Sequence, residues 1–195
     1  MLTLYGTPKS RAFRPLWLLE ELELDFVHKP VPPHDSALKK LNPSGKVPVL
    51  VANGVTITDS TAILTYLADR EGKLTHPAGS LDRAKQDAVM FQALDELDSC
   101  LWTAARHSFV LPEDRRVPEV KDSLKWEFSR AIDRMATHLK DREFVTGDDM
   151  TIADIVVTHC GGWAVTAKFP LENDTFRAYL DRMRARPAYI RAAGR

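Results

Sequence analysis

The chain reads as α/β plus all-α: a βαβαββα domain followed by an all-helical domain. Three observations predict this. Residues 1–75 alternate short apolar runs with segments of helical period, and an Asn53-Gly54 dipeptide separates two of the apolar runs. Beyond a stretch containing Pro77 and Gly79, no strand pattern survives. Strands mixed with helices and then helices alone imply two domains, placed at residues 1–75 and 82–195 with a linker at 76–81.

The elements follow in order. Leu2 to Tyr5 is a strand. Arg11 to Leu24 is a helix, because Phe13, Leu16, Trp17, Leu19 and Leu22 recur at three- and four-residue steps. Pro15 falls near its first turn, where a missing N–H costs little. Asp25 to Val31 is a second strand, and Asp35 caps a short helix running to Leu41. Val47 to Ala52 and Val55 to Thr58 form a hairpin around Asn53-Gly54, and a helix runs from Asp59 to Glu71. This order resembles a thioredoxin-type domain, in which the hairpin adds antiparallel strands to a parallel pair. Helices are then expected over Leu81 to His107, Pro118 to Lys140, Thr151 to Lys168 and Asp174 to Arg186, with a last turn after Pro187. Thr151 and Asp154 form a capping box with aspartate in place of glutamate, and Met150 and Ile155 a hydrophobic staple; these are folding devices, not chemistry. Trp126 and Trp163 are read as core, and Cys100 and Cys160 as buried small apolar residues.

Composition narrows the function. The 195 residues carry 27 basic and 27 acidic side chains, so the net basic footprint of a nucleic-acid binder is missing. No apolar run approaches the roughly 18 residues that span a bilayer, and Met1 leads straight into a strand without a leader pattern. The expectation is a cytoplasmic protein without a membrane partner. Two distant cysteines outside any Cys-x-x-Cys pattern predict neither disulfide nor metal site. Arg177, Arg182, Arg184, Arg186, Arg191 and Arg195 read as a solvated helix face rather than an anion-binding tail.

Chemistry concentrates around two polar signals flanking the hairpin. Asn42-Pro43-Ser44-Gly45-Lys46-Val47-Pro48 is a turn feeding a strand through a proline, and Asp59-Ser60-Thr61 is an acid-hydroxyl opening of a helix. If Val47-Pro48 is cis, the Val47 N–H and C=O turn outward, where an extended peptide could pair with them. Backbone N–H groups at the helix start, with the Ser60 and Thr61 hydroxyls, suit a carboxylate, and Asp59 suits an ammonium. Together they describe a receptor for a small zwitterionic peptide.

These segments resemble the cytosolic glutathione S-transferase family, bacterial, serine-type and theta-, delta- or phi-like, over nearly the whole chain. The resemblance runs through Leu2-Thr3-Leu4-Tyr5, the Gly6–Ser10 loop, Trp17 to Leu22, Asn42-Pro43, Val47-Pro48, Asp59-Ser60 and Gly147-Asp148-Asp149-Met150-Thr151-Ile152-Ala153-Asp154. It implies glutathione as co-substrate, no other cofactor, a small hydrophobic electrophile as second substrate and a homodimer. It also implies that Lys46, Val47, Pro48, Asp59 and Ser60 hold the peptide. His34, Lys39 and Lys40 are further candidates for its glycyl carboxylate. An open electrophile pocket is expected, because little chain follows Pro187 to form a lid.

Glutathione attacks as its thiolate, whereas a free thiol has a pKa of about 8.5. The family places a sulfur-directed donor just after the first strand. Here Ser10 stands four residues before Arg14, the offset of serine-type classes, at a helix mouth that favours an anion. The plain alternative is that Ser10 caps the helix. Arg11 is the rival, able to stabilise a thiolate by charge, and Tyr5 and Thr7 are weaker candidates. No cysteine lies in the first domain, so a mixed disulfide with glutathione is unavailable. The resemblance places the electrophile near Trp102, Arg106 and His107, with Phe109 beside them, although the aromatics read equally well as interhelical core. A second function class stays open: a non-catalytic ligand carrier or interaction module on the same fold.

Overall fold

A computed structural model of the chain describes residues 1–195. Two compact units emerge, one formed by Met1–Ala78 with Arg184–Arg195, the other by Gly79–Met183. The first opens with β1 (Leu2–Tyr5), α1 (Phe13–Glu21), β2 (Phe26–Lys29) and α2 (Ser36–Leu41). β3 (Val49–Ala52), β4 (Val55–Thr58) and α3 (Ser60–Glu71) complete the βαβαββα order expected from the pattern. The sheet runs β2-β1-β3-β4, with β1 parallel to β2 and both hairpin pairings antiparallel. Asn53 and Gly54 carry φ of 50° and 84°, the left-handed pair that a two-residue hairpin needs.

Register is what positions the site. Lys29, Tyr5, Val49 and Thr58 form one row across all four strands. The loop after Tyr5, the segment before Val49 and the segment after Thr58 therefore meet at one end of the sheet.

α1 is buried on every side from Phe13 to Glu20, so its charges as well as its apolar residues need partners inside. α9 (Pro187–Ala193) and the residues flanking it supply some of them. Arg191 Nε donates to Glu20 Oε2 at 2.8 Å, Arg195 Nε to Glu20 Oε1 at 2.6 Å, and Arg186 grips both Glu21 oxygens at 2.7 and 2.9 Å. Tyr189 stands edge-on to Phe13 and Trp17 at 4.9 and 5.0 Å. One expectation is corrected and another refined. The last twelve residues group with the first unit rather than the helical one, and these three arginines, although their side chains are 32–50% exposed, are ion-paired to α1. Burial alone would raise the Glu20 carboxyl, but hydrogen bonds and charge from Arg191 and Arg195 outweigh it and hold it below its ordinary value.

The second unit is helical throughout. The predicted long helix from Leu81 continues to Val110 as α4 (Leu81–Gln92), a π segment (Ala93–Asp98), α5 (Ser99–Ala105) and a π turn (Arg106–Val110). α6 (Val120–Thr137), α7 (Ile152–Ala167) and α8 (Asp174–Arg184) follow. Its core holds Leu97, Leu101, Phe128, Ile132, Met135, Ile155 and Phe176, each worth about 1.5–3 kcal/mol when withdrawn from water. Asp154 is fully buried and accepts from the N–H groups of Thr151 and Val145 and from Tyr179 Oη, each at 2.9 Å. The capping segment is thus a structural hub. Cys100 and Cys160 are buried thiols, as expected. Trp126 is not core: it is 62% exposed, with the Arg130 guanidinium 4.9 Å above its ring. No helix is long and apolar enough to cross a membrane.

Candidate functional site

The first of the three converging segments turns on Gly6. Its φ is +131°, and a Cβ there would stand 2.5 Å from the Ala12 Cβ and 3.0 Å from the Val47 Cβ. The loop backbone, the start of α1 and Val47 are therefore in close contact, which only glycine permits. The Gly6 N–H donates to Lys29 O at 3.0 Å, and His28 Nε2 bonds its carbonyl at 2.8 Å.

Ser10 closes the turn that follows. Its Oγ donates to Thr7 O at 2.8 Å and accepts from the Ala12 N–H at 3.1 Å. α1 begins at Phe13 with no side-chain cap, so Ser10 orders the approach to the helix instead of capping it. A hydroxyl has one hydrogen to give. In this arrangement Thr7 O holds that hydrogen, and a rotation about χ1 would redirect it. Arg11 is half-buried beside Ser10, while Tyr5 closes β1.

The second segment is a turn stapled by side chains. Asn42 Oδ1 accepts from the Ser44 N–H at 3.2 Å and from Ser44 Oγ at 2.9 Å, while Asn42 Nδ2 donates to Lys46 O at 2.9 Å. The Gly45 carbonyl accepts from the His34 N–H at 2.7 Å, and at a φ of +68° a Cβ on Gly45 would run into the His34 ring. Lys46 projects into solvent, as do Lys39 and Lys40. The Val47-Pro48 peptide bond is cis. The sheet ladder begins at Val49, so the Val47 N–H and C=O stay outside it.

In the third segment, Asp59 at φ +72° caps α3 through Oδ1, which accepts from the Thr61 N–H at 2.8 Å and the Ala62 N–H at 3.0 Å. Two of the backbone donors expected to bind a carboxylate are thus taken by Asp59 itself. Ser60 is buried, and its Oγ accepts from Arg14 Nη1 at 3.2 Å, which leaves its hydroxyl hydrogen and its N–H to give. Arg14 is 1% exposed and was not singled out from the sequence. The available signal was a lone cation inside the apolar run from Ala12 to Leu19, which must be paired when buried.

The electrophile candidates lie together on the second unit. Trp102 is on α5, and Arg106 and His107 open the π turn, all half-buried. Arg106 Nη2 donates to Thr103 Oγ1 at 3.0 Å, and His107 Nδ1 accepts from the Val117 N–H at 3.0 Å, so the ring's proton sits on Nε2. Phe109 is exposed.

Residues 1–69 match the family model described as glutathione S-transferase, N-terminal domain. The chain is 29% identical over 166 residues to glutathione S-transferase 2 of Anopheles gambiae, covering 80% of this chain and 76% of that protein. It is likewise 29% identical over 151 residues to glutathione S-transferase GstA of Escherichia coli O157:H7, covering 75% and 72%. A solved glutathione transferase of Methylococcus capsulatus superposes with a TM-score of 0.85 at 27% identity, over 100% of this chain and 98% of that one.

Proposed function

This chain belongs to the cytosolic glutathione S-transferase family, and from that premise we propose that it is an enzyme that activates glutathione for attack on a small electrophile. One observation carries the reading: the sheet register brings the Ser10 loop, Val47-Pro48 and Asp59-Ser60 to one end of the sheet. The cysteinyl unit pairs with the free backbone groups of Val47. Asp59 takes the γ-glutamyl ammonium, the Ser60 N–H and hydroxyl take its carboxylate, and Lys46 faces the glycyl end. Ser10 then turns its hydroxyl hydrogen from Thr7 O to the sulfur, with Arg11 adding positive potential.

A donor aimed at the thiolate favours the charged form and lowers the thiol pKa, at about 1.4 kcal/mol per unit. The thiol proton leaves to solvent, the sulfur forms its bond to the electrophilic carbon, and that carbon releases a leaving group or, in an addition, takes a proton at the neighbouring atom. Trp102, Arg106 and His107 hold the electrophile, and the active form is a homodimer in the cytoplasm.

The test is retention on immobilised glutathione with elution by free glutathione, followed by turnover of halonitrobenzenes, isothiocyanates, organic peroxides and maleyl compounds. Retention with turnover supports the enzyme. Retention without turnover moves the reading to a ligand carrier, and no retention removes both.

A further inference from the structure

We infer that Arg106 is a carboxylate-binding group, and that the electrophile is a small molecule carrying a carboxylate. The inference deepens the reading above and rests on it. A guanidinium offers five N–H donors and no acceptor. Arg106 spends one on the neutral hydroxyl of Thr103, and its Nε is buried with no hydrogen-bond partner. More than nine in ten buried polar groups in native proteins are partnered, so the protein leaves donor capacity on this half-buried guanidinium unfilled.

Other arginines of the same unit are satisfied from within. Arg83 pairs with Asp87 at 2.9 Å, Arg134 with Glu96 at 3.1 Å and Arg177 with Asp174, while Arg116 donates to the carbonyls of Leu111 and Phe109. Arg106 has no carboxylate. A half-buried cation selects an anion, and the planar fork of a guanidinium matches a carboxylate.

The local backbone supports a fixed receptor. Arg106 opens a π turn, closed by the Leu111 N–H on Arg106 O at 3.0 Å, and such turns occur frequently at functional sites. The following loop is fastened onto that turn by Arg116 and by the Val117 N–H on His107. His107 carries its remaining donor on Nε2, and Trp102 supplies an aromatic surface one turn earlier on the same helical run.

Calorimetry on the full chain without glutathione tests this directly, using 4-nitrobenzoate and its neutral isostere 4-nitrobenzamide as probes. The wild type should bind the carboxylate about tenfold or more tighter than the amide, a charge-assisted bidentate contact being about twice as strong as a neutral one. Arg106→Gln should bind the two alike, and Arg106→Lys should recover part of the preference. Equal affinities in the wild type, no detectable nitrobenzoate binding at millimolar concentration, or a preference that survives Arg106→Gln would each overturn the inference. If Arg106→Gln does not fold, the wild-type comparison alone decides. A parallel glutathione titration separates the two readings: its failure removes the glutathione proposal, whereas the nitrobenzoate comparison judges Arg106.

Discussion

Arg14 Nη1 donates to Ser60 Oγ across 3.2 Å, joining the first turn of α1 to the first residue of α3 in a buried contact. One end of this contact follows the Ser10 loop and the other carries Ser60, the proposed anchor for the peptide's γ-glutamyl end. The bond therefore ties the two halves of the proposed glutathione site to each other.

Ser60→Ala should consequently weaken both fold and binding. A hydrogen bond to a charged group is worth about 1.5–3 kcal/mol, and removing the acceptor leaves a buried guanidinium N–H behind. Urea denaturation should show a loss within that range, and the glutathione KM should rise about tenfold. In an Arg14→Met background the same Ser60→Ala change should cost well under half as much stability. Equal costs in both backgrounds would mean that the two residues are uncoupled.

Asp59 has two separable duties. Its Oδ1 caps α3, and its charge is proposed to hold the ammonium. Asp59→Asn keeps a capping oxygen and tolerates the +72° φ, so the melting temperature should hold while the glutathione KM rises about tenfold. Asp59→Ala should lose both, with a further cap cost of about 0.5–2 kcal/mol. An Asn variant with unchanged KM would remove the ammonium role.

Local devices were legible in the sequence. Asn53-Gly54, the Asp35 cap and the Thr151-to-Asp154 segment act within a few residues, and each lies where its pattern placed it. What stayed hidden depends on distant partners. Arg14 meets Ser60 46 positions away, and Arg186 meets Glu21 165 positions away. Trp126 looked like core because an aromatic on an amphipathic helix usually faces inward, yet it lies largely exposed with the Arg130 guanidinium over its ring. For the candidate site, the motif residues were visible, but the sequence could not tell that Asp59 would consume two of the helix-start donors.

Gly6→Ala tests the convergence of the three segments. The new methyl would collide with Ala12 and approach Val47 closely, at a φ that costs an L-residue about 1–3 kcal/mol before any clash. The variant should melt lower and lose glutathione affinity. Wild-type affinity in a well-folded Gly6→Ala protein would show that the loop and Val47 move independently.

The C-terminal arginines predict an acid-sensitive strap. The folded Glu20 carboxyl lies below its ordinary value, so its contribution to stability is complete above the unfolded carboxylate pKa of about 4.3 and is lost as pH falls through the lower folded value. Glu20→Gln should flatten the loss of stability below about pH 4.3 relative to wild type. Parallel wild-type and variant profiles would show that the Arg191 and Arg195 contacts contribute nothing to folding.

Sulfur activation by Ser10 is the central claim, and the pH profile of turnover is its most direct measurement. Ser10→Ala should lower kcat about tenfold near neutral pH, leave the glutathione KM nearly unchanged, and move the kinetic thiol pKa up toward the free value of about 8.5. Arg11→Ala, measured alongside, should shift that pKa less. An unshifted profile in Ser10→Ala, with the shift appearing in Arg11→Ala instead, would contradict the account and make the guanidinium the activating group.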